Sequence, residues 1–280
     1  MFSDSQHSPP GAWRRQAALI VLLLLIFLAP YAFRIPWRFA LASAVLIGLG
    51  LVFEGRDGWQ RLGLRARLRD VLAAGLLGLG VWRLATLAVA DLARQSGLVF
   101  VPFDSIELAF GKPLFQSLNE EILLRAVLLG LLATCFVKAA TGSGSMLAIT
   151  RLTNSQRWII TVAAAAVFSI LHLVYYNLIS QINPGPVALL TLFFVGFALN
   201  GFFVRTGHIL FGVAIHAGWN LARFGGRFYS TDPASGALTY VNYAQTFDFL
   251  EGSIQVLLAA GLLAVVSGWV LFAARPKPTT

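Results

Sequence analysis

Charged side chains are scarce in this chain. Asp, Glu, Lys and Arg make up 12% of its 280 residues, whereas hydrophobic residues make up 58%. A soluble domain typically carries about 25% charged residues, because its surface faces water. The composition therefore argues against a soluble enzyme and indicates a protein that presents apolar side chains to lipid.

Cysteine is nearly absent as well. Cys135 is the only cysteine, which excludes an intramolecular disulfide and a thiolate metal cluster. Because Cys135 lies inside an apolar run, we expect it to be a packing residue.

Acidic residues are outnumbered, with 12 Asp and Glu against 21 Lys and Arg. We expect no nucleic-acid partner, because no basic module rich in aromatic residues lies outside the apolar runs. With the N-terminus inside, thirteen Lys and Arg lie in inner segments and six in outer loops. This bias, which depends strongly on residues 54–70, predicts an integral protein of the bacterial inner membrane with both termini in the cytoplasm.

Apolar runs dominate the chain. A helix of about 20 residues crosses roughly 30 Å of hydrocarbon. We therefore predict an all-α fold, a polytopic bundle of about eight transmembrane helices, at residues 17–33, 37–53, 71–93, 121–138, 158–178, 186–204, 207–222 and 253–273. The mixed segment 94–119 is expected to form an amphipathic or re-entrant segment. In the third run we expect Gly75, Gly78 and Gly80 to permit close helix packing.

Three polar clusters interrupt these apolar runs. They are Asn119-Glu120-Glu121 with Arg125, then Phe168 with His172, and last His216 with Asn220. Ionisable groups inside membrane helices cost several kcal/mol by most scales, so such clusters suggest function. Arg83, in the third run, has no assigned role.

Helical spacing gives the clusters a geometry. Residues four apart share a face, so Glu121 is expected to pair with Arg125, while Glu120 points about 100° away from Glu121. Because successive helices alternate in direction, all three clusters fall in the same half of the bilayer. The charge count makes this the extracytoplasmic half.

A carboxylate and two imidazoles at one depth favour hydrolysis. A desolvated carboxyl can act as a general base, and an imidazole and an amide can stabilise an oxyanion. We therefore expect Glu120 and His172 to activate water, and His216 and Asn220 to stabilise the oxyanion. Arg125 would hold Glu121 in place.

The ordered motifs Glu-Glu-x-x-x-Arg, Phe-x-x-x-His and His-x-x-x-Asn resemble those of the CPBP family, the CAAX proteases and bacteriocin-processing enzymes, also called the Abi family. The resemblance implies an eight-helix bundle and intramembrane peptide hydrolysis by a glutamate-activated water. It places the catalytic set at Glu120, Glu121, Arg125, Phe168, His172, His216 and Asn220. The substrate would be a membrane-embedded protein or peptide, such as a C-terminal sorting or anchor segment.

The resemblance also suggests a division of the chain into domains. Residues 1–112 hold helices one to three and the amphipathic segment, and residues 113–222 form the catalytic core. Residues 223–280 hold an extramembrane loop and the last helix. Part of that loop, residues 223–252, is a candidate cover over the site.

Other classes of function use the same residue types. A proton-coupled transporter buries carboxylates and imidazoles, although we find no inverted repeat, and a non-catalytic membrane scaffold is a further alternative. Two histidines and a glutamate can also ligate zinc. No His-Glu-x-x-His pattern occurs, so we expect no metal and no other cofactor. The oligomeric state is left open.

Overall fold

The computed structural model describes residues 38–54, 66–103, 112–130, 132–133 and 152–272. The predicted first helix, 17–33, and Cys135 lie outside these described residues.

Helices make up most of the described chain. They are α1 (Arg38–Glu54), α2 (Leu68–Gln95), α3 (Lys112–Glu121), α4 (Asn154–Tyr175), α5 (Pro186–Thr206), α6 (Leu210–Phe224), α7 (Tyr243–Leu250) and α8 (Ile254–Phe272). Two of them continue as π-helix, α3 through Ile122–Leu129 and α4 through Tyr176–Ser180. Six predicted apolar runs each correspond to one helix, but α7 was not predicted.

A small sheet corrects the prediction of an all-α fold. Strands β1 (Leu98–Pro102), β2 (Gly226–Thr231) and β3 (Leu238–Val241) form an antiparallel sheet in the order β1-β2-β3. Val99 is opposite Tyr229, which in turn is opposite Tyr240. The segment 94–119 is thus the end of α2, a strand and the start of α3, separated by residues 104–111, which lie outside the described part.

The sheet stands at one end of the bundle. β1 follows α2 after two residues, and β2 follows α6 after one residue. The same end carries the N-terminus of α8. The segment 223–252 is therefore structured, with the β2–β3 hairpin leading into α7, whose first turn is capped by the Asn242 side chain.

The helices pack pairwise around the site. α2 packs against α6, α3 against α6, and α4 and α8 against α5. At the contact of α2 with α6, a Cβ on Gly78 would lie 3.0 Å from the Ala214 carbonyl oxygen. Gly78 therefore makes the close packing that we predicted, but Gly75 and Gly80 face open space.

Within the described part of the chain, three helices are long and apolar enough to cross a membrane. They span Leu68–Gln95, Asn154–Leu178 and Pro186–Thr206, and α8 contains a shorter apolar stretch, Ile254–Trp269. Many of their large side chains are exposed, for example Leu76 and Leu262. Exposed apolar rows of this kind suit contact with lipid.

Candidate active site

Helix α3 brings two carboxylates to the centre of the bundle. Glu120 and Glu121 are 1% and 0% exposed, and the backbone becomes π-helical directly after them. A π-helical turn widens the backbone locally and often occurs at functional sites. One turn earlier, the Ser117 hydroxyl donates to the Pro113 carbonyl at 2.8 Å.

Glu120 faces both imidazoles. Its Oε2 atom lies 3.7 Å from Nε2 of His172 and 3.5 Å from Nε2 of His216. Its Oε1 atom accepts a hydrogen bond from the Gln116 amide at 3.1 Å. The two Nε2 distances exceed the usual hydrogen-bond range, so this spacing suits a small polar molecule between the three side chains.

Glu121 is held on two sides. Its Oε1 atom lies 3.2 Å from an Arg125 guanidinium nitrogen and 3.0 Å from Nδ1 of His216. Gly212, one turn before His216 on α6, makes room for this carboxylate, because a Cβ there would lie 2.3 Å from Oε2 of Glu121. The absence of a side chain at Gly212 thus allows α6 to approach α3.

His172 is oriented by its own helix. Its Nδ1 donates to the Phe168 carbonyl oxygen at 2.9 Å, and its ring lies 4.2 Å from the Phe168 ring, centroid to centroid. The Arg125 guanidinium carbon lies 4.7 Å from the Phe168 ring centroid. Phe168 thus links the cation of one motif to the imidazole of another.

Asn220 lies on the same face of α6 as His216, one turn further along. Its side-chain amide donates to the Ser117 hydroxyl at 3.0 Å. The structure therefore brings all seven predicted residues into one connected group, in which Asn220 is joined to the carboxylates through α3.

Sequence reasoning missed Gln116, Ser117 and Gly212. Gln116 and Ser117 precede Glu120 and Glu121 by four residues, which places them on the same helix face. This spacing was a usable signal. Gly212 also precedes His216 by four residues, but nothing in the sequence relates it to Glu121.

A cavity of about 790 Å³ opens onto the site. Glu120, His172, His216 and Asn220 line it, together with apolar residues of α2 and α8, among them Leu84 and Leu263. Residues of all three segments of the hairpin region, β2, β3 and α7, also line it. The cavity therefore joins the polar group to the sheet and to apolar helix faces.

A second buried pair lines this cavity. Arg223 at the end of α6 forms an ion pair with Glu251, which lies between α7 and α8. Burial raises the pKa of the Glu251 carboxyl, and the neighbouring Arg223 cation opposes this rise. The pair connects α6 to the start of α8.

The fit to a metal ion can be tested on the donor set. Glu120, His172 and His216 are residue types that ligate zinc. Within residues 38–54, 66–103, 112–130, 132–133 and 152–272, no group of three or more His, Cys, Asp or Glu side chains is arranged to hold a metal ion. The expectation that the site holds no metal ion stays a prediction.

The part of the chain that contains the polar group matches a known protein family. The family model described as Type II CAAX prenyl endopeptidase Rce1-like matches residues 102–222, a range that contains all three motifs. Neither the curated proteins nor the solved structures include a significant match to the chain. Residues 102–222 are therefore similar to the CAAX-type proteases, the family that the three motifs predicted.

Proposed function

We propose that this protein is an intramembrane endopeptidase that hydrolyses a peptide bond with a water molecule activated by Glu120 and His172. The observation that carries the proposal is the position of one Glu120 oxygen within 3.5 and 3.7 Å of two imidazole nitrogens. A water between these atoms would lie within hydrogen-bond distance of a base and of two further polar groups.

The two histidines differ in what their Nδ1 atoms contact. Nδ1 of His172 contacts a carbonyl oxygen, which only accepts, so this nitrogen carries the hydrogen and Nε2 is left as an acceptor. Nδ1 of His216 contacts the Glu121 carboxylate, and such a partner stabilises the positive charge of an imidazolium. His172 is thus suited to accept from water, and His216 to donate to an oxyanion.

The reaction then follows two steps. The water oxygen forms a bond to the carbonyl carbon of the substrate, and its proton passes to Glu120. The carbonyl oxygen becomes an oxyanion, which Nε2 of His216 and the Asn220 amide would stabilise. When the oxyanion collapses, the carbon–nitrogen bond breaks and the leaving nitrogen takes the proton from Glu120.

Asn220 can donate to the oxyanion without losing its contact with Ser117. Its amide donates to the Ser117 hydroxyl in the structure, and catalytic hydrogen bonds often form only when substrate is bound. An amide carries two donor hydrogens, so Asn220 can keep the Ser117 contact and still offer the second hydrogen to the substrate.

The substrate we infer is a membrane-associated protein or peptide. The apolar walls from α2 and α8 suit a hydrophobic segment, and the charge count favours a site in the extracytoplasmic half, with both termini in the cytoplasm. An outward-facing site in a bacterial inner membrane suits processing of a C-terminal sorting or anchor segment. A prenylated CAAX substrate would instead need access from the cytoplasm.

Comparative membrane proteomics tests this function. Cells that make the wild-type protein are compared with cells that make Glu120→Gln, and Asp91→Asn serves as the control because Asp91 is an exposed carboxylate on α2. We expect at least one membrane protein to accumulate uncut only in the Glu120→Gln cells. If no protein accumulates, or if Glu120→Gln abolishes proton-coupled flux while cleavage continues, the proposal is wrong.

A further inference from the structure

Strand β3 has an outer edge that faces away from β2. In the order β1-β2-β3 it pairs on one side only. Among the described residues, no further backbone–backbone hydrogen bond reaches Leu238–Val241, and the one side-chain contact comes from β2, where the Ser230 hydroxyl donates to the Thr239 carbonyl oxygen. An edge of this kind presents main-chain N–H and C=O groups that can pair with another chain.

This edge lacks two of the features that usually protect an exposed strand. Natural edge strands often carry charged residues or Pro, which discourage pairing. Residues Leu238–Val241 contain neither, and Leu238 and Tyr240 are 53% and 57% exposed. No charge and no proline in β3 therefore opposes the addition of a short strand.

The edge is also rigid. The turn before β3 is held by the Asp232 carboxylate, which accepts from the Ala234 backbone N–H at 3.0 Å and from the Ser235 hydroxyl. After β3, the Asn242 side chain caps α7 by accepting from the Gln245 N–H at 3.1 Å. A partner that pairs with a rigid strand loses less conformational entropy than one that must order it.

The edge is continuous with the cavity of the active site. Tyr240 and Val241 line the same cavity as Glu120 and His172. Val241 is opposite Phe228 of β2, which also lines the cavity, so the cavity reaches the end of β3 that precedes α7. A peptide substrate that extends from the site along the cavity toward Val241 would reach β3.

We propose that the outer edge of β3 binds an extended segment of the peptide substrate as a fourth strand and so presents the neighbouring peptide bond to Glu120. The inference rests on the proposed protease function. Its ligand class is an extended polypeptide, recognised by its main chain in the manner of β-strand addition. Neither β3 nor the cavity residues of α7 lie within the matched family region, 102–222.

Two proline variants, Thr239→Pro and Tyr240→Pro, test the main-chain contacts. In an antiparallel strand the N–H groups of neighbouring residues point to opposite edges, so only one variant removes a hydrogen bond to β2 and lowers the thermal stability. The other variant removes a backbone N–H that points to the outer edge of β3, and it keeps the fold. This stable proline variant should cleave the protein that accumulates in Glu120→Gln cells about tenfold more slowly than the wild type does. The alanine variant at the same position, which keeps the N–H, should cleave faster than the proline variant.

Photocrosslinking provides a test that does not depend on proline. Benzoylphenylalanine is placed at Tyr240 or, as a control on the apolar face of α2, at Leu76, each in the Glu120→Gln protein. We expect the accumulating protein to crosslink at Tyr240 and not at Leu76. If it accumulates but does not crosslink at Tyr240, or if the stable proline variant cleaves at the wild-type rate, strand addition is wrong. If nothing accumulates, the protease function itself fails.

Discussion

Small and polar residues one helical turn from the motif residues support Glu120 and its neighbours. Gln116 donates to Glu120, Ser117 accepts from Asn220, and Gly212 leaves space for Glu121. These contacts hold a buried carboxylate pair whose desolvation would otherwise be costly. The positions of the two carboxylates and of Asn220 therefore depend on residues outside the motifs.

Gly212→Ala should damage the site. The added Cβ would clash with the Glu121 carboxylate and shift His216, and a displacement of about 1 Å can cost about 10²-fold in rate. We expect the cleavage rate to fall by about this factor while the protein still folds. Gly80→Ala is the matched control, because nothing lies within 4 Å of its Cβ position. Equal activity of the two variants would show that Gly212 has no such role.

Metal analysis tests whether the residues of the site act without a metal ion. The steps proposed here use only side chains, so purified protein should contain far less than one zinc ion per chain. Cleavage should also survive treatment with a chelator. Stoichiometric zinc together with loss of cleavage on chelation, restored by added zinc, would require a metal mechanism in place of the glutamate-activated water.

At the scale of elements, the long apolar helices could be predicted from the sequence, whereas α7 and the sheet could not. Long apolar runs such as 186–204 specify a helix because the lipid leaves no other partner for the backbone. β1 is a run of five residues, too short to distinguish a strand from part of a helix. Its partner β2 lies more than 120 residues away, so no local signal reveals the pairing.

The grouping of the candidate site residues was predictable for a related reason. Glu120, His172 and His216 are conspicuous because ionisable residues are rare in apolar helices, and the alternation of helix direction places them at one depth. The role of Gly212 was not predictable, because it depends on how closely two helices approach. The cavity wall formed by β3 and α7 likewise depends on the sheet.

The Arg223–Glu251 pair gives a prediction about how elements are joined. Removal of one partner leaves an uncompensated buried charge, which typically costs about 3–5 kcal/mol. Glu251→Ala should therefore lower the free energy of unfolding by about that amount. The double variant Arg223→Met, Glu251→Leu should be more stable than Glu251→Ala. Denaturant unfolding in detergent measures both, and equal stability of the two variants would argue against a coupled pair.

At the scale of the whole molecule, the placement of the sheet defines which side the site faces. The sheet and the polar group share the end of the bundle at which α2 and α6 end. Arg67, Arg69 and Arg205 lie at the opposite end, at the start of α2 and the end of α5. The count over the whole sequence, thirteen Lys and Arg in inner segments against six in outer loops, predicts that this opposite end faces the cytoplasm.

Cysteine labelling tests this orientation. With Cys135 replaced by serine, Ser235→Cys places a thiol on the exposed hairpin turn and Ser155→Cys places one in the first turn of α4, at the opposite end. A maleimide that does not cross membranes should label Ser235→Cys in intact cells. It should label Ser155→Cys only after the cells are opened. The reverse pattern would place the site on the cytoplasmic side and would favour a CAAX-type substrate.

The central claim is that one carboxylate and two imidazoles cleave a peptide bond with a shared water. The most direct measurement is cleavage of a substrate found by proteomics, by purified wild-type, Glu120→Gln and Asp91→Asn proteins in detergent. The account predicts cleavage by the wild type and by Asp91→Asn, and a loss of at least about 10²-fold for Glu120→Gln. Cleavage by Glu120→Gln at the wild-type rate would contradict it.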